Sequence, residues 1–378
     1  MTQKGYILIV DISGYTAYLS QTELTHAQEI LEVLMNTLLK HLHPPIIISR
    51  AEGDGIFAYT LENCFWQGQT LLEMLEHLYC SFAYELEHIK RNTTCTCQAC
   101  ARIPDLGLKM IIHYGEFGLQ KVGENTDLIG SNVNLTHRLA KNSIKEKTNI
   151  SDYAFFTKAC IEALHLIDFA EKTMVLHTES YEHIGEVMGY VYDLCPVWQR
   201  DRERHRVILS PEEIALETHF VLPVAPPVAW DYLLDPEIRK SFLGSDRIDT
   251  SKIDGRMTIG SRYHCAHGDV VLDQLVLDWQ PFDYFTIEQF FPLPGKMKAR
   301  ARGMTELVEV INGTRVINYY AKPVSSNPLA KIMLQMSWNK TKEMIKTSSD
   351  FTEKTLLETI EANRKLEKPL IKMTVPTG

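Results

Sequence analysis

The chain has 378 residues, of which 45% are hydrophobic and 23% charged, a balance that supplies core for two ordinary globular domains. Its net charge of −9 argues against a nucleic-acid binder, which needs a basic footprint. No apolar run approaches the ~18 residues of a membrane span, and Met1-Thr2-Gln3-Lys4-Gly5 leads straight into a strand without the apolar stretch of a signal peptide, so the reading is a cytoplasmic protein.

In chain order, Tyr6 to Val10 reads as a buried strand that ends at Asp11. Ile12 to Thr16 turns tightly through Gly14, and the N–H groups of Gly14, Tyr15 and Thr16 could face a triphosphate. Thr25 and Gln28 suggest a capping box for a helix carrying Ile30, Leu31, Val33, Leu34, Leu38 and Leu42, stopped by Pro44-Pro45. Ile46 to Ile48 and Ile56 to Tyr59 form a hairpin with Asp54 in its turn, Glu52-Gly53-Asp54-Gly55. A second helix runs from about Trp66 to Lys90. A polar loop, Arg91-Asn92-Thr93-Thr94, then leads to Cys95-Thr96-Cys97-Gln98-Ala99-Cys100. Leu108 to Tyr114 and Phe117 to Val122 suggest a hairpin around Gly115-Glu116, and Asn134 to Lys141 begins a third helix. The order β-α-β-β-α-β is the ferredoxin-like plan.

Two short carboxylates at a strand end and a hairpin tip, Asp11 and Asp54, could form an oxygen site suited to Mg²⁺ or Mn²⁺. Taken singly, each would more often cap a turn. Asn134 and Arg138 are one helical turn apart and share a face. His113 and His137 read as hydrogen-bonded core histidines. Cys64, Cys80, Cys160, Cys195 and Cys265 are scattered, as expected of reduced thiols. Cys95, Cys97 and Cys100 could hold Zn²⁺ if Cys80, His88 or a partner chain gave a fourth ligand; the alternative is a reduced loop.

Four segments in order resemble the class III adenylate/guanylate cyclase catalytic domain: Val10 to Thr16, Glu52 to Gly55, Ile112 to Glu116, and Gly130 to Arg138. The resemblance covers roughly residues 5–195, and the run His137 to Asn142 looks like a bacterial branch in which this domain is joined to a second. It implies that Asp11, Asp54 and the main-chain carbonyl of Ile12 hold two metal ions, Mg²⁺ or Mn²⁺. It implies that Arg50 and Asp127 read the base of ATP or GTP, Asn134 orients the ribose and Arg138 stabilises charge on the α-phosphate. It also implies a homodimer in which the aspartates and the Asn134/Arg138 pair of each site come from opposite subunits. One piece departs from the family: Ile184 stands where a phosphate-binding lysine is expected, with His183 or Lys172 as substitutes. That departure motivates an alternative, a catalytically inactive nucleotide or ligand sensor.

From about residue 205 the chain changes character. Thr218 to Val224 is a strand, and Ala225 to Glu237 reads as a short helix, a break and another short helix. Strands are expected near Gly260–Cys265, Val270–Leu277, Tyr284–Phe290, Ala299–Val310 and Thr314–Ala321, with Asn312-Gly313 as a two-residue turn. Asn327-Pro328 starts a long helix lined by Leu329, Ile332, Met333 and Met336, with a break expected near Ser348-Ser349-Asp350. This order, with the segment from Pro226 to Glu237, resembles the START/SRPBCC helix-grip fold. Such a domain either encloses a cavity for an apolar small molecule or has a filled core. Lys298, Arg300 and Arg302 share one strand face and read as solvated, with an anion site as the alternative; His264, His267 and Asp269 read as surface or cavity-lining residues. The expected class is α+β, with a cyclase-like domain over 1–200, a helix-grip domain over 205–350 and a helical tail over 351–378.

Overall fold

The computed structural model describes residues 2–366 apart from 43, 66, 93, 94, 96, 123, 124, 183 and 269. Met1, Trp66, Thr93, Thr94, Thr96, His183 and Asp269, named above, and residues 367–378 of the expected helical tail thus lie outside the described residues. The chain divides into two compact units, residues 1–206 with 254–256, and residues 207–253 with 257–378. The class is α+β in both, as the sequence implied.

The first unit opens with β1 (Thr2–Ser13), α1 (Tyr15–Ser20), α2 (Leu24–His41), β2 (Ile47–Glu52), β3 (Gly55–Leu61), α3 (Gly68–Asn92), α4 (Gln98–Ala101) and β4 (Gly107–Val122). It continues through β5 (Asn125–Ile129), α5 (Ser131–Leu139), α6 (Ile144–Thr148), β6 (Tyr153–Thr157), α7 (Lys158–Ala163), α8 (Ile167–Thr173), β7 (Val175–Tyr181), β8 (Gly185–Asp193) and α9 (Cys195–Glu203). The sheet order is β2-β3-β1-β4-β6-β8-β7, with β5 paired to β4. Its first four strands, β2-β3-β1-β4, stand in the ferredoxin-like order, with helices crossing between β1 and β2 and between β3 and β4. Residues 5–10 of β1 are all buried, because a central strand covered on both faces needs a continuous apolar run rather than alternation.

Two local expectations fail for physical reasons. Gly115-Glu116 is not a turn: β4 runs straight through it, with Gly115 opposite Gly5 in the β1 ladder. Gly115 is needed for close approach, since a Cβ there would lie 2.6 Å from the Asn132 side chain. The Thr25/Gln28 capping box is also absent. α2 starts two residues earlier, with Glu23 at its N-cap, and the Glu23 carboxylate accepts from the N–H groups of Gln98 and Ala99 instead.

The second unit contains β9 (Ile214–Leu222), α10 (Pro226–Leu234), α11 (Pro236–Leu243), β10 (Arg247–Ser251), β11 (Arg262–His267), β12 (Val270–Gln280), β13 (Tyr284–Leu293), β14 (Met297–Val310), β15 (Gly313–Ala321) and α12 (Pro328–Leu366). Its antiparallel sheet has the order β10-β11-β12-β13-β14-β15-β9, and one strand, two short helices, a meander and a long closing helix make up the helix-grip plan. The short strand β10 escaped the sequence reading. Asp235 breaks α10 from α11 and caps the latter, accepting from the N–H groups of Glu237 and Ile238 at 3.0 Å each. The β14–β15 turn sits one residue earlier than expected: Val310 pairs with Gly313, so Ile311-Asn312 form the loop.

Asn327 caps α12 as expected, accepting from Leu329 N–H at 2.9 Å and Ala330 N–H at 3.2 Å. The helix does not break at Ser348–Asp350. Thr347 and Thr352 donate their hydroxyls to carbonyls four residues back, contacts that a helix interior accommodates without ending. Leu356 and Ile360 are its anchors in the core, while Leu329, Ile332 and Met336 are exposed. That core is packed around Trp230, which meets Trp279 at 4.9 Å and Phe285 at 5.7 Å edge-on. Lys298 and Arg300 are exposed as expected and Arg302 is half-buried; Arg300 pairs with Glu288 (3.2 Å) and Arg302 with Glu213. His264 lies 3.3 Å from Asp273. Among the described residues no helix is long and apolar enough to cross a membrane.

Candidate functional site

The β1–β3 register places Asp11 opposite Gly55, so the strand end and the hairpin tip meet. The Ile12 N–H donates to the Asp54 carbonyl at 3.1 Å and ties the two segments together. Burial raises the Asp54 carboxyl above the ordinary aspartate range, and the neighbouring Asp11 charge raises it further. Across the other ladder Asp11 stands opposite Lys109, whose Nζ lies 2.8 Å from Asp11 Oδ2. Two neighbouring carboxylates, one of them held back from ionising by burial and by the other's charge, are a donor set that fits a hard divalent cation. A cation there would relieve both causes of the Asp54 shift. Lys109, which the sequence reading overlooked, answers the charge of Asp11. Only pairing register reveals it, since no local pattern marks a lysine opposite an aspartate.

A second cluster forms beside it in the same unit. Arg50 Nη1 lies 3.2 Å from Asp127 Oδ2, so the two residues singled out for base reading are joined by an ion pair. Arg50 sits where the β2–β3 ladder shifts register, after Ile48, and Asp127 lies on β5. The guanidinium also lies 5.3 Å from the centre of the Phe57 ring, with Nη2 3.3 Å from His137 Nε2. His137 is therefore not a plain core histidine. Its ring is tilted against Phe57 at 4.7 Å, and burial, then the Arg50 charge, lowers its pKa. His113 does match its reading: it is buried between Thr157 Oγ1 (3.0 Å) and Asn132 Oδ1 (3.1 Å).

On α5, Val133, Thr136 and Leu139 face the core, which leaves Asn134 and Arg138 exposed on the opposite side. Among the described residues no hydrogen bond or ion pair joins either of them to Asp11 or Asp54. Gly14 adopts φ 85°, and a Cβ there would lie 2.6 Å from the Asp105 carbonyl, so both conformation and space demand glycine at this turn. Ser13, Gly14, Arg102, Asp105, Lys145 and Asp152 line one surface cleft. Ile184, in the turn between β7 and β8, is exposed. Lys172 is exposed on α8.

The cysteine cluster gains a partner the sequence reading did not name. His26 on α2 places Nδ1 3.2 Å from Cys97 Sγ, 3.6 Å from Cys95 Sγ and 3.7 Å from Cys100 Sγ. The fourth group is thus neither Cys80, whose thiol burial pushes far up, nor His88, which lies against Glu85. The His26 contact, and after it the Cys100 N–H, pull the Cys97 thiol down to about 7.

A family model described as "Protein of unknown function (DUF2652)" matches residues 28–149. An uncharacterized protein of Mycobacterium tuberculosis is 30% identical over 153 residues, which cover 39% of this chain and 66% of that relative, just under two thirds of its length. Among solved structures, a bacterial light-regulated adenylyl cyclase is similar at 12% identity over 54% of this chain and 98% of its own, with a TM-score of 0.38. The adenylyl cyclase CyaB from P. aeruginosa follows at 15% identity, 51% and 95% coverage and a TM-score of 0.36. The guanylate cyclase domain of RhGC from Catenaria anguillulae, in complex with GTP, is similar at 14% identity, 50% and 97% coverage and a TM-score of 0.34.

Proposed function

We propose that the first unit is a nucleotidyl cyclase that converts ATP or GTP to a cyclic 3′,5′-monophosphate and pyrophosphate, acting as a homodimer with two shared sites. The observation that carries this reading is the apposition of Asp11 and Asp54, with the Asp54 carboxyl raised in part by its neighbour. The Arg50–Asp127 ion pair supports it independently.

In this reading Asp11, Asp54 and the Ile12 carbonyl hold two Mg²⁺ or Mn²⁺ ions, which when bound would acidify the ribose 3′-hydroxyl and hold the triphosphate. Arg50 donates to a ring nitrogen of the base, and Asp127 accepts from an exocyclic amine. Asn134 orients the ribose. Arg138 meets charge that develops on the α-phosphate in the transition state. The N–H groups of Gly14, Tyr15 and Thr16 receive phosphate oxygens. Lys145 lines the same cleft as Gly14 and serves as the cation that Ile184 does not supply. If the second unit takes up a small apolar molecule, its binding would change the cyclase rate by a coupling of about 1–3 kcal/mol.

Lys109 against Asp11, with Ile184 at the lysine position, favours a second reading: a nucleotide sensor without turnover. Purified protein incubated with ATP or GTP and Mn²⁺ separates the two. A cyclic product that Asp54→Ala abolishes supports the cyclase; calorimetric binding without product supports the sensor. Absence of both binding and product for both nucleotides would remove the two readings together. Unchanged kinetics on deleting residues 207–378 would remove the regulatory role of the second unit.

A further inference from the structure

We infer that His26, Cys95, Cys97 and Cys100 form a closed zinc site of three thiolates and one imidazole, which clamps the connection between α3 and β4 onto the start of α2. The inference does not depend on nucleotide chemistry at Asp11 and Asp54.

The four candidate ligand atoms all lie within 4.8 Å of one another. A tetrahedral ion with Zn–S bonds near 2.3 Å and a Zn–N bond near 2.05 Å separates sulfur from nitrogen by about 3.6 Å. The three distances from His26 Nδ1 are 3.2, 3.6 and 3.7 Å, which bracket that edge. Three thiolates and an imidazole select a borderline-soft ion over Mg²⁺ or Ca²⁺. Four protein ligands leave no open position, so the ion is structural rather than catalytic.

The surroundings are built for the same purpose. The other ring nitrogen of His26, Nε2, lies 3.8 Å from Glu29 Oε2, one turn further along α2. At that distance the carboxylate acts on the imidazole through its charge rather than through a hydrogen bond, favouring Nε2 as the nitrogen that keeps the proton. Cys97 Sγ accepts from the Cys100 N–H at 3.4 Å. Glu23 accepts from the N–H groups of Gln98 and Ala99 at 3.3 and 3.1 Å, and the Tyr18 hydroxyl donates to the Ala99 carbonyl at 2.9 Å. α4 is only four residues long, and so short a helix cannot hold its own geometry. A metal that ties it to α2 supplies what local structure lacks.

The test uses the full chain, purified without a histidine tag and kept reduced. Elemental analysis should find about one zinc per chain, and Co²⁺ exchanged into the site should show thiolate-to-metal charge transfer with tetrahedral visible bands. His26→Ala and Cys97→Ser should each lower bound zinc at least about tenfold against a competing chelator, while Cys64→Ser and Asp54→Ala retain it. If the ligand variants do not fold, the cobalt spectrum of the unaltered chain decides alone. A folded, reduced chain that binds no zinc and shows no cobalt charge-transfer band would overturn the inference. So would full zinc retention in folded His26→Ala and Cys97→Ser, which would place the metal elsewhere.

Discussion

Lys109 Nζ lies 2.8 Å from Asp11 Oδ2, and the two residues stand opposite each other in the β1–β4 ladder. The lysine therefore competes with any divalent ion for that carboxylate. Both side chains are partly exposed, so the pair is worth on the order of 0.5–1 kcal/mol. Lys109→Met should accordingly tighten Mn²⁺ binding by about two- to fivefold, read by titration of the paramagnetic ion. Weaker binding in the variant would show that the lysine supports the site rather than competing with it.

Asp54 titrates above its unfolded value because burial, and then the Asp11 charge, penalise its ionised form. Between those two pKa values the folded state holds more protons than the unfolded one. Stability contributed by this group thus falls as pH rises through the window and is regained on acidification. Mn²⁺ requires the ionised carboxylate, so its stabilising effect should grow as pH rises through the raised Asp54 titration. Carboxyl NMR of Asp11→Asn should show Asp54 titrating lower than in the parent; an unmoved Asp54 would mean that the two groups do not sense each other.

The Arg50–Asp127 pair should govern nucleobase choice. Asp127→Ala removes an acceptor and frees the guanidinium, and a lost hydrogen bond to a charged group is worth about 1.5–3 kcal/mol. The ratio of kcat/KM for the preferred over the disfavoured nucleotide should fall roughly 10- to 150-fold. An unchanged ratio assigns the pair to β2–β5 packing alone.

Shared sites make a distinctive demand. Asp54→Ala and Arg138→Ala should each be inactive alone. Mixed in equal amounts and allowed to exchange subunits, half the dimers should carry one intact site, restoring about a quarter of parental turnover. No recovery, with exchange verified, would place both residues in one subunit's site.

Trp230 is 1% exposed and meets three aromatic rings edge-on. Trp230→Ala should destabilise the second unit by about 3–5 kcal/mol in denaturant unfolding. A loss below about 1 kcal/mol would mean that the core can collapse around the gap.

Much of this protein is written locally. The apolar run of β1, the Asp54 turn, the two-helix break at Asp235-Pro236 and the Asn327 cap each depend on neighbours a few residues away, so they were legible in the sequence. The order of elements, and with it the α+β class and the ferredoxin-like and helix-grip plans, followed from them. Gly115-Glu116 misled because a glycine that serves a close approach looks the same in sequence as one that serves a turn. The tail of α12 misled because hydroxyl side chains that return to the helix backbone look the same as helix breakers. Tertiary structure alone decided that Lys109 faces Asp11, that His137 joins Arg50 and Phe57, and that His26 completes the cysteine cluster from 69 residues before Cys95. Contacts of that kind are fixed by strand register and by where a long connection docks. Both are set by how the whole core packs, and neither leaves a periodic trace along the chain.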